Sequence, residues 1–236
     1  MRFHEFGNPS GVPLLFFMGT PQKGESGAEF SELASELGIR LICPTRPWYD
    51  DNQCVPSFDH CSAQVISYLD SNGLEALDVM GGSGGGPFAL HLASNHPGKV
   101  RACYLLASMG TPETFVSTVS SPQTLQLLSL FGDNDYDTAM QQLESWGLPA
   151  DLSHGAWADF QVLLGRWDGA DYGSTPEVFI HHGEDDENAP VESIQALAAL
   201  LPKVEIRLSP DASHVALATD EEFTEMRKIF REVAAR

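Results

Sequence analysis

Short apolar runs alternate with stretches of helical periodicity along most of the chain. The runs are rich in Val, Ile, Leu and Phe and predict buried strands at residues 14–18, 40–43, 77–80, 100–107, 177–181 and 204–208. Helical patterns separate or follow them at residues 29–37, 64–69, 88–93, 191–201 and 221–235. Strands that alternate with helices form βαβ units, so the pattern predicts an α/β fold with a mostly parallel, doubly wound sheet.

This alternation stops between residues 111 and 176. A segment of that length is not expected to be structureless inside a compact domain. Residues 139–146 have helical character, and Gly147-Leu148-Pro149 would end that helix. We therefore predict that residues 111–176 form a helical cap insertion over the carboxyl edge of the sheet. Residues 1–110 and 177–236 would then form the core.

Composition and charge narrow the class of protein. The chain has 236 residues, of which 42% are hydrophobic and 19% are charged, which suits one buried core better than disorder. Its formal net charge of −20 predicts repulsion from nucleic acid and from anionic membrane surfaces. The longest apolar runs are too short to cross a bilayer, and the N-terminus lacks the apolar segment of a signal peptide.

The cysteines give no sign of a metal site. The chain contains Cys43, Cys54, Cys61 and Cys103, and no two of them form a Cys-x-x-Cys pair. We expect four reduced thiols in a cytoplasmic protein, and neither a metal nor an organic cofactor.

The sharpest motif lies between the predicted strand 77–80 and the predicted helix 88–93. It reads Gly81-Gly82-Ser83-Gly84-Gly85. A serine hydroxyl is a weak nucleophile unless it is exposed beside a base, and a tight strand-to-helix turn lifts it above the sheet. Such a turn has room only for small neighbours, and the amide that follows the serine can donate to an oxyanion. The next residues, Pro87-Phe88, do not complete a phosphate loop or a dinucleotide loop.

This segment resembles the nucleophile elbow of the α/β-hydrolase superfamily, and other landmarks of that family come in the expected order. Residues 14–21 resemble the segment after its third strand, residues 43–47 its Pro-Asp-Arg-Pro turn, and residues 96–100 its approach to the next strand. The resemblance implies an α/β-hydrolase fold and the order serine, acid, histidine along the chain. It also implies that the chain begins at the family's second strand.

The resemblance places the other two members of a catalytic triad. The segment His182-Gly183-Glu184-Asp185-Asp186 resembles the family's strand-end His-Gly-x-x-Asp, so the acid is expected at Asp186, with Asp185 as the alternative. His214 follows the last predicted strand and is expected to be the base. The acid would hold the imidazole tautomer and stabilise the imidazolium. His181 and His182 are expected to pack at a strand end.

Less specific expectations concern the oxyanion hole and the pocket. The resemblance implies two oxyanion donors, the amides of Gly84 and of Thr20. Met18 stands where the family often has histidine, and Trp48 either walls the pocket or packs beneath the insertion. Because caps of this fold wall the binding cleft, we predict that the pocket is lined by Met18, Trp48, Trp146, Trp157 and Trp167.

Charge in the insertion bears on the substrate. Residues 111–176 carry Arg166 and nine acids, namely Glu113, Asp133, Asp135, Asp137, Glu144, Asp151, Asp159, Asp168 and Asp171. A neutral or cationic substrate suits such a field better than an anion.

The leading hypothesis is therefore a monomeric or homodimeric serine hydrolase that cleaves a small, neutral, apolar carboxylic ester or lactone through an acyl-enzyme. Three alternatives stay open. The first is an aminopeptidase of the proline iminopeptidase kind, whose substrate amine would bind the cap acids. The second is a carbon–carbon bond hydrolase or lyase that uses the same triad, and the third is a weakly catalytic ligand-binding protein.

Overall fold

The computed structural model describes residues 1–132, 135–165, 167, 172–214 and 223–236. Within these residues seven strands form one sheet with the order β1-β3-β2-β4-β5-β6-β7. The strands are β1 Arg2–Gly7, β2 Val12–Phe17, β3 Ile39–Thr45, β4 Leu77–Gly82, β5 Val100–Leu106, β6 Glu177–Gly183 and β7 Val204–Ser209. β1 pairs with β3 in antiparallel orientation, and all other neighbouring strands are parallel.

Nine α-helices occupy the described residues. They are α1 Ser31–Glu36, α2 Phe58–Ser71, α3 Gly86–Asn95, α4 Pro112–Thr118, α5 Pro122–Gly132, α6 Tyr136–Ser145, α7 Ala150–Leu163, α8 Val191–Ala198 and α9 Thr224–Ala234. Short 3₁₀ turns lie at Gly24–Phe30, Pro47–Tyr49, Ser83–Gly85 and Tyr172–Ser174. The sequence predicts that the last helix spans residues 221–235. Residues 221 and 222 lie outside the described residues, and the helix in the described part is α9.

The central strands are buried on both faces, because helices cover each side of the sheet. In β2, Leu15 and Phe17 belong to one core cluster, whereas Leu14 and Phe16 belong to a second cluster on the opposite face. Alternate residues of one strand therefore feed two cores, as the strand period of two requires. This arrangement confirms the prediction of a doubly wound, mostly parallel sheet.

The edge strand β1 is the described strand that the pattern of apolar runs does not predict. None of its residues is buried, so it has no continuous apolar run, and only the family resemblance implied a strand there. It lies beside β3 and pairs Phe3 with Pro44, and Glu5 with Ile42.

Between β5 and β6 the described residues form the helices α4 to α7, in the segment for which the sequence predicted a helical insertion. The helix expected at residues 139–146 is α6. No helix in the described part of the chain is both long enough and apolar enough to span a membrane.

Parallel strands bring their carboxyl ends to one edge of the sheet. β4 ends at Gly82, which pairs with Leu106 of β5, and Leu106 in turn pairs with His181 of β6. Loops that leave β4, β5 and β6 therefore start side by side, which is where ligands bind in open α/β sheets.

Candidate active site

A strained turn presents Ser83 at the end of β4. Its φ of 49° lies in the left-handed region, and α3 begins three residues later at Gly86. A Cβ at Gly81 would lie 2.5 Å from the carbonyl oxygen of Gly85, and one at Gly85 would lie 2.2 Å from that of Phe17. Gly81 and Gly85 are therefore required by close backbone approach, and Ser83 stays partly exposed.

His214 joins Ser83 to an acid. Its Nε2 lies 2.9 Å from Ser83 Oγ, and its Nδ1 lies 2.7 Å from Asp186 Oδ2. Because the carboxylate accepts, Nδ1 is the donor, which leaves Nε2 free to accept the hydroxyl proton. The structure thus brings together Ser83, Asp186 and His214 from three separate loops.

Asp186 is oriented by the loop that follows β6. Its side chain is fully buried, and Oδ1 accepts hydrogen bonds from the amides of Asn188 at 3.0 Å and Ala189 at 2.8 Å. Oδ2 is left to bind His214. The alternative acid, Asp185, is exposed to solvent. The geometry therefore favours Asp186 as the partner of the imidazole.

His182 supports the same loop from beneath. It is fully buried, and its Nε2 donates to the carbonyl oxygen of Ala189 at 2.7 Å. Burial lowers the pKa of His182, so it stays neutral beside Asp186, whose Oδ2 lies 3.6 Å away. His182 packs at a strand end as expected, and it also holds Ala189, whose amide donates to Asp186.

Thr20 and Gly84, whose amides are the predicted oxyanion donors, lie beside Ser83. Both residues line the same cavity as Ser83 and His214. A Cβ placed on Gly84 would lie 2.6 Å from Thr20 Oγ1, so the two loops are in close contact. That their amides bind an oxyanion stays a prediction.

The cavity next to Ser83 has a volume of about 250 Å³. Its walls are mainly apolar, and among the described residues that line it none is Asp, Glu, Lys or Arg. The apolar part of the wall consists of Pro21, Met109, Phe115, Leu127, Leu143, Trp146, Leu148, Ala156, Phe160, Leu163 and Ala189. The uncharged polar part consists of Thr20, Gln123, Thr124 and Asn188. Such a wall favours an uncharged ligand.

Of the five residues predicted to line the pocket, Trp146 lines this cavity. Met18 requires a correction, because it is buried in the core cluster on the other face of the sheet. Trp48 requires one as well. It packs beneath the insertion, which was the stated alternative, and its indole Nε1 donates to Asp159 Oδ1 at 2.9 Å.

The other two tryptophans also lie away from the cavity. Trp157 packs on Phe131 and Tyr136, with ring centroids 4.8 Å and 5.4 Å apart, and it lines a groove on the outer side of α7. Trp167 meets Phe58 edge-on at 6.0 Å. Both therefore attach the insertion to itself or to the core instead of walling the pocket.

The comparisons with known proteins agree with this geometry. A family model described as the α/β hydrolase fold matches residues 13–154. The chain belongs to the α/β-hydrolase fold family. The resemblance inferred from the motifs is thereby confirmed. Among described residues of this α/β hydrolase, no group of three or more His, Cys, Asp and Glu side chains could hold a metal ion.

One curated relative of this α/β hydrolase is the 2-hydroxymuconate semialdehyde hydrolase of Pseudomonas putida. The two are 26% identical over 230 residues, which cover 86% of this chain and 81% of the relative. A meta-cleavage product hydrolase from Pseudomonas fluorescens IP01 superposes with a TM-score of 0.68 at 17% identity, over 98% of this chain and 92% of that one. The enol-lactonase from Burkholderia xenovorans LB400 has a TM-score of 0.68 at 14% identity, over 100% of this chain and 96% of that one.

Proposed function

We propose that this α/β hydrolase cleaves small, neutral carboxylic esters or lactones through an acyl-enzyme on Ser83. One observation carries the proposal. The hydrogen-bonded series Asp186, His214 and Ser83 opens onto a cavity whose described wall is uncharged and mostly apolar.

The first half of the reaction forms the acyl-enzyme. Ser83 Oγ attacks the carbonyl carbon of the ester while its proton passes to His214 Nε2. The carbonyl oxygen becomes an oxyanion, which the amides of Gly84 and Thr20 would bind. His214 then protonates the leaving oxygen as its bond to carbon breaks. An ester releases an alcohol at this point, whereas the opened lactone keeps its new hydroxyl on the acyl chain.

The second half regenerates the serine. A water molecule gives a proton to His214 Nε2 and attacks the acyl carbon, and the second oxyanion occupies the same hole. The tetrahedral intermediate collapses, Ser83 Oγ takes the proton back from His214, and the acid leaves. In both halves Asp186 stabilises the imidazolium without accepting its proton.

The cavity favours neutral and compact substrates. Its volume of about 250 Å³ lies just below the usual range for small-molecule sites, so a short acyl chain suits it. A carboxylate moved from water to this site would lose solvation, and none of the described lining residues is a Lys or Arg that could offset the loss. The described acids of the insertion do not line the cavity either, so the geometry gives no support to an aminopeptidase that binds the amine of its substrate through them.

Carbon–carbon bond hydrolysis is the second candidate, and one observation favours it. The Pseudomonas putida relative, whose name states that it acts on 2-hydroxymuconate semialdehyde, is similar over most of both chains. The same three side chains could act in either reaction. 2-Hydroxymuconate semialdehyde carries a carboxylate group, however, and neither Lys nor Arg is among the described residues that line the cavity. We therefore rank the neutral ester or lactone first.

The test combines a substrate panel with a covalent label. Aryl esters of increasing acyl length, neutral lactones and an anionic carbon–carbon substrate are compared on the wild type and on Ser83→Ala. We expect short neutral esters or lactones to be turned over best, and Ser83→Ala to abolish turnover. Intact-mass analysis after fluorophosphonate treatment should show one adduct, on Ser83. An adduct on another serine, or faster turnover of the carbon–carbon substrate than of any ester or lactone, would contradict the proposal.

A matched pair of variants tests the acid. Asp186→Asn should lower kcat by about 10⁴, because the correct imidazole tautomer is lost. Asp185→Asn changes an exposed neighbour and should leave kcat nearly unchanged. The reverse order of effects would mean that the acid lies one residue earlier.

A further inference from the structure

A single carboxylate beneath the insertion accepts five hydrogen bonds. It belongs to Asp159 of α7 and is completely buried. Its Oδ1 accepts from Arg46 Nε at 2.7 Å and from Trp48 Nε1 at 2.9 Å. Its Oδ2 accepts from Arg46 Nη2 and Tyr49 OH, both at 2.6 Å, and from Thr20 Oγ1 at 2.7 Å. Every donor belongs to the core, so this carboxylate ties the insertion to the core.

Arg46 extends this connection to the loop that carries Thr20. Its Nη1 donates to the carbonyl oxygen of Met18 at 2.6 Å, and its Nη2 donates to that of Gly19 at 3.1 Å. Three successive residues of the loop are thus held, two by Arg46 through their carbonyl oxygens and Thr20 by Asp159 through its hydroxyl. The amide expected to donate to the oxyanion belongs to the last of them.

Electrostatics keep these groups in the required protonation states. Burial opposes the charge on Arg46, but the neighbouring Asp159 outweighs it and holds the pKa of the guanidinium above its ordinary value. Burial, reinforced by the charge of Asp159, raises the pKa of Tyr49 well above its usual value, so its hydroxyl stays a donor. Both groups therefore remain donors to the carboxylate throughout the neutral pH range.

Stability alone is a weak explanation for such an arrangement. A buried ion pair must repay the loss of solvation of two charges, and apolar replacements of similar volume are often neutral or stabilising. What apolar side chains cannot do is fix two carbonyl oxygens and a hydroxyl at defined positions. The arrangement supplies geometry to the loop beside Ser83.

We propose that Asp159 is a positioning residue for the oxyanion hole. Through Arg46 and the hydroxyl of Thr20, it fixes the loop 18–20 relative to Ser83. The geometry of the oxyanion hole therefore depends on how α7 packs on the core. The inference rests on the proposed function, since it concerns the step in which the oxyanion forms. An oxyanion exists only in the transition state and the intermediates, so a displaced donor should affect kcat much more than KM.

The test uses single substitutions within this hydrogen-bond network. Thr20→Val keeps the shape of the side chain but removes its bond to Asp159, and Thr20→Ser restores the hydroxyl. Asp159→Asn keeps the volume and removes the charge. Asp151→Asn is the control on the same helix, because Asp151 is exposed and pairs with Lys23 at the surface.

We expect Thr20→Val to lower kcat about tenfold, and Asp159→Asn to lower it further, toward the 10²–10³ typical of a lost oxyanion donor. KM should change less than about twofold, Thr20→Ser should recover most of the loss, and Asp151→Asn should have no effect. Affinity for an aryl trifluoromethyl ketone, which forms an oxyanion on the serine, should fall in parallel with kcat/KM.

Two other results would overturn the inference. One is a folded Thr20→Val protein with unchanged kcat and unchanged ketone affinity, and the other is a loss confined to KM. A wild type that turns over no ester or lactone would instead refute the proposed function. The rate at which a fluorophosphonate labels Ser83 would then still compare the oxyanion holes of wild type and Thr20→Val, so the inference would be decided without an ester substrate.

Discussion

Two helices of the insertion, α7 and α5, line the same cavity but are packed very differently. α7 buries eight of its 14 residues, whereas α5 buries none of its 11. Elements with few buried contacts open at low free energy, while well-buried ones open only with the fold. The cavity therefore has one wall, α7, that is packed firmly against the core and another, α5, that should open at lower free energy. Changes in substrate preference are expected to come at lower cost from α5.

The sequence of each helix accounts for the difference. α7 places Gly155 against Tyr49, where a Cβ would lie only 2.2 Å from the ring, so the helix backbone approaches the core closely. It also carries Asp159, which is bound to core donors. α5 instead leaves Leu125 about half exposed and directs Leu127 into the cavity. One helix is fixed by close backbone contact and a buried charge, and the other by a partial apolar stripe.

Truncating one leucine on each helix is the strongest way to break this comparison. Leu163 of α7 is buried and Leu127 of α5 is half-buried, and both line the cavity. We expect Leu163→Ala to lower the free energy of unfolding by about 2–5 kcal/mol, as in other cores. Leu127→Ala should lower the free energy of unfolding by about 1 kcal/mol or less, because the side chain of Leu127 buries less apolar area in the folded protein than that of Leu163. Urea denaturation measures both.

The same two variants should affect substrate choice alike. Each enlarges the cavity, so relative kcat/KM should move toward longer acyl chains in both. If Leu127→Ala destabilised the protein as much as Leu163→Ala, the two walls would not differ in packing.

A pair of glycine variants tests the backbone approach. Gly155→Ala must displace the ring of Tyr49, whose hydroxyl is already bound to Asp159, and we expect a loss of about 1–3 kcal/mol. A Cβ at Gly132, at the end of α5, would meet no atom of the described residues within 4 Å, so Gly132→Ala should be neutral or stabilising by up to about 1 kcal/mol. Thermal unfolding measures the stability of both variants. If Gly155→Ala destabilised the protein no more than Gly132→Ala, α7 would be able to shift on the core.

The smallest expected effect is that of the acids of the insertion on kcat/KM for an anionic ester. The acids of α7 are paired, Asp151 with Lys23 and Asp159 with Arg46, while Asp135, Asp137 and Glu144 around α6 are exposed. Asp133, Asp168, Asp171 and Arg166 lie outside the described residues. We expect kcat/KM at low salt to be lower for a hemisuccinate aryl ester than for its methyl-capped form.

Salt should reduce this difference, because the Debye length falls from about 10 Å at 0.1 M to about 3 Å at 1 M. The neutral ester serves as the control and should change little. Equal kcat/KM for the two esters at low salt would mean that the exposed acids of the insertion do not influence the approach of substrate.

The sequence predicted the sheet and the residues around Ser83 well because both follow local rules. A strand, a glycine turn and a helix in succession specify the position of Ser83, and loops after parallel strands must meet at one edge. The same rule brings together the loops that carry Asp186 and His214, but the family resemblance singled out these two residues, and their catalytic roles stay predictions. β1 was less visible because an edge strand needs no apolar run.

The pocket residues were harder to predict, since a tryptophan of the insertion can face the cavity, another helix of the insertion or the core. Trp157 and Trp167 face away from the cavity, and Trp48 uses its indole as a donor. Asp159 is one of the nine acids of the insertion, and net charge alone does not distinguish it from the others. Its position in the otherwise apolar stretch Ala156-Trp157-Ala158-Asp159-Phe160 indicates burial, and a buried carboxylate requires a partner such as Arg46.

The left-handed backbone of Ser83 has a consequence for what selection on stability alone would favour. A non-glycine residue held at a φ of 49° carries about 1–3 kcal/mol of conformational strain, which glycine would relieve. Ser83→Gly should therefore melt at a higher temperature than Ser83→Ala, which keeps the Cβ. Without selection for the nucleophile, substitution at this position should favour glycine, which would complete a run of six glycines at residues 81–86 and give a more stable, inactive protein. The serine at this turn is thus retained against the thermodynamic preference of the fold.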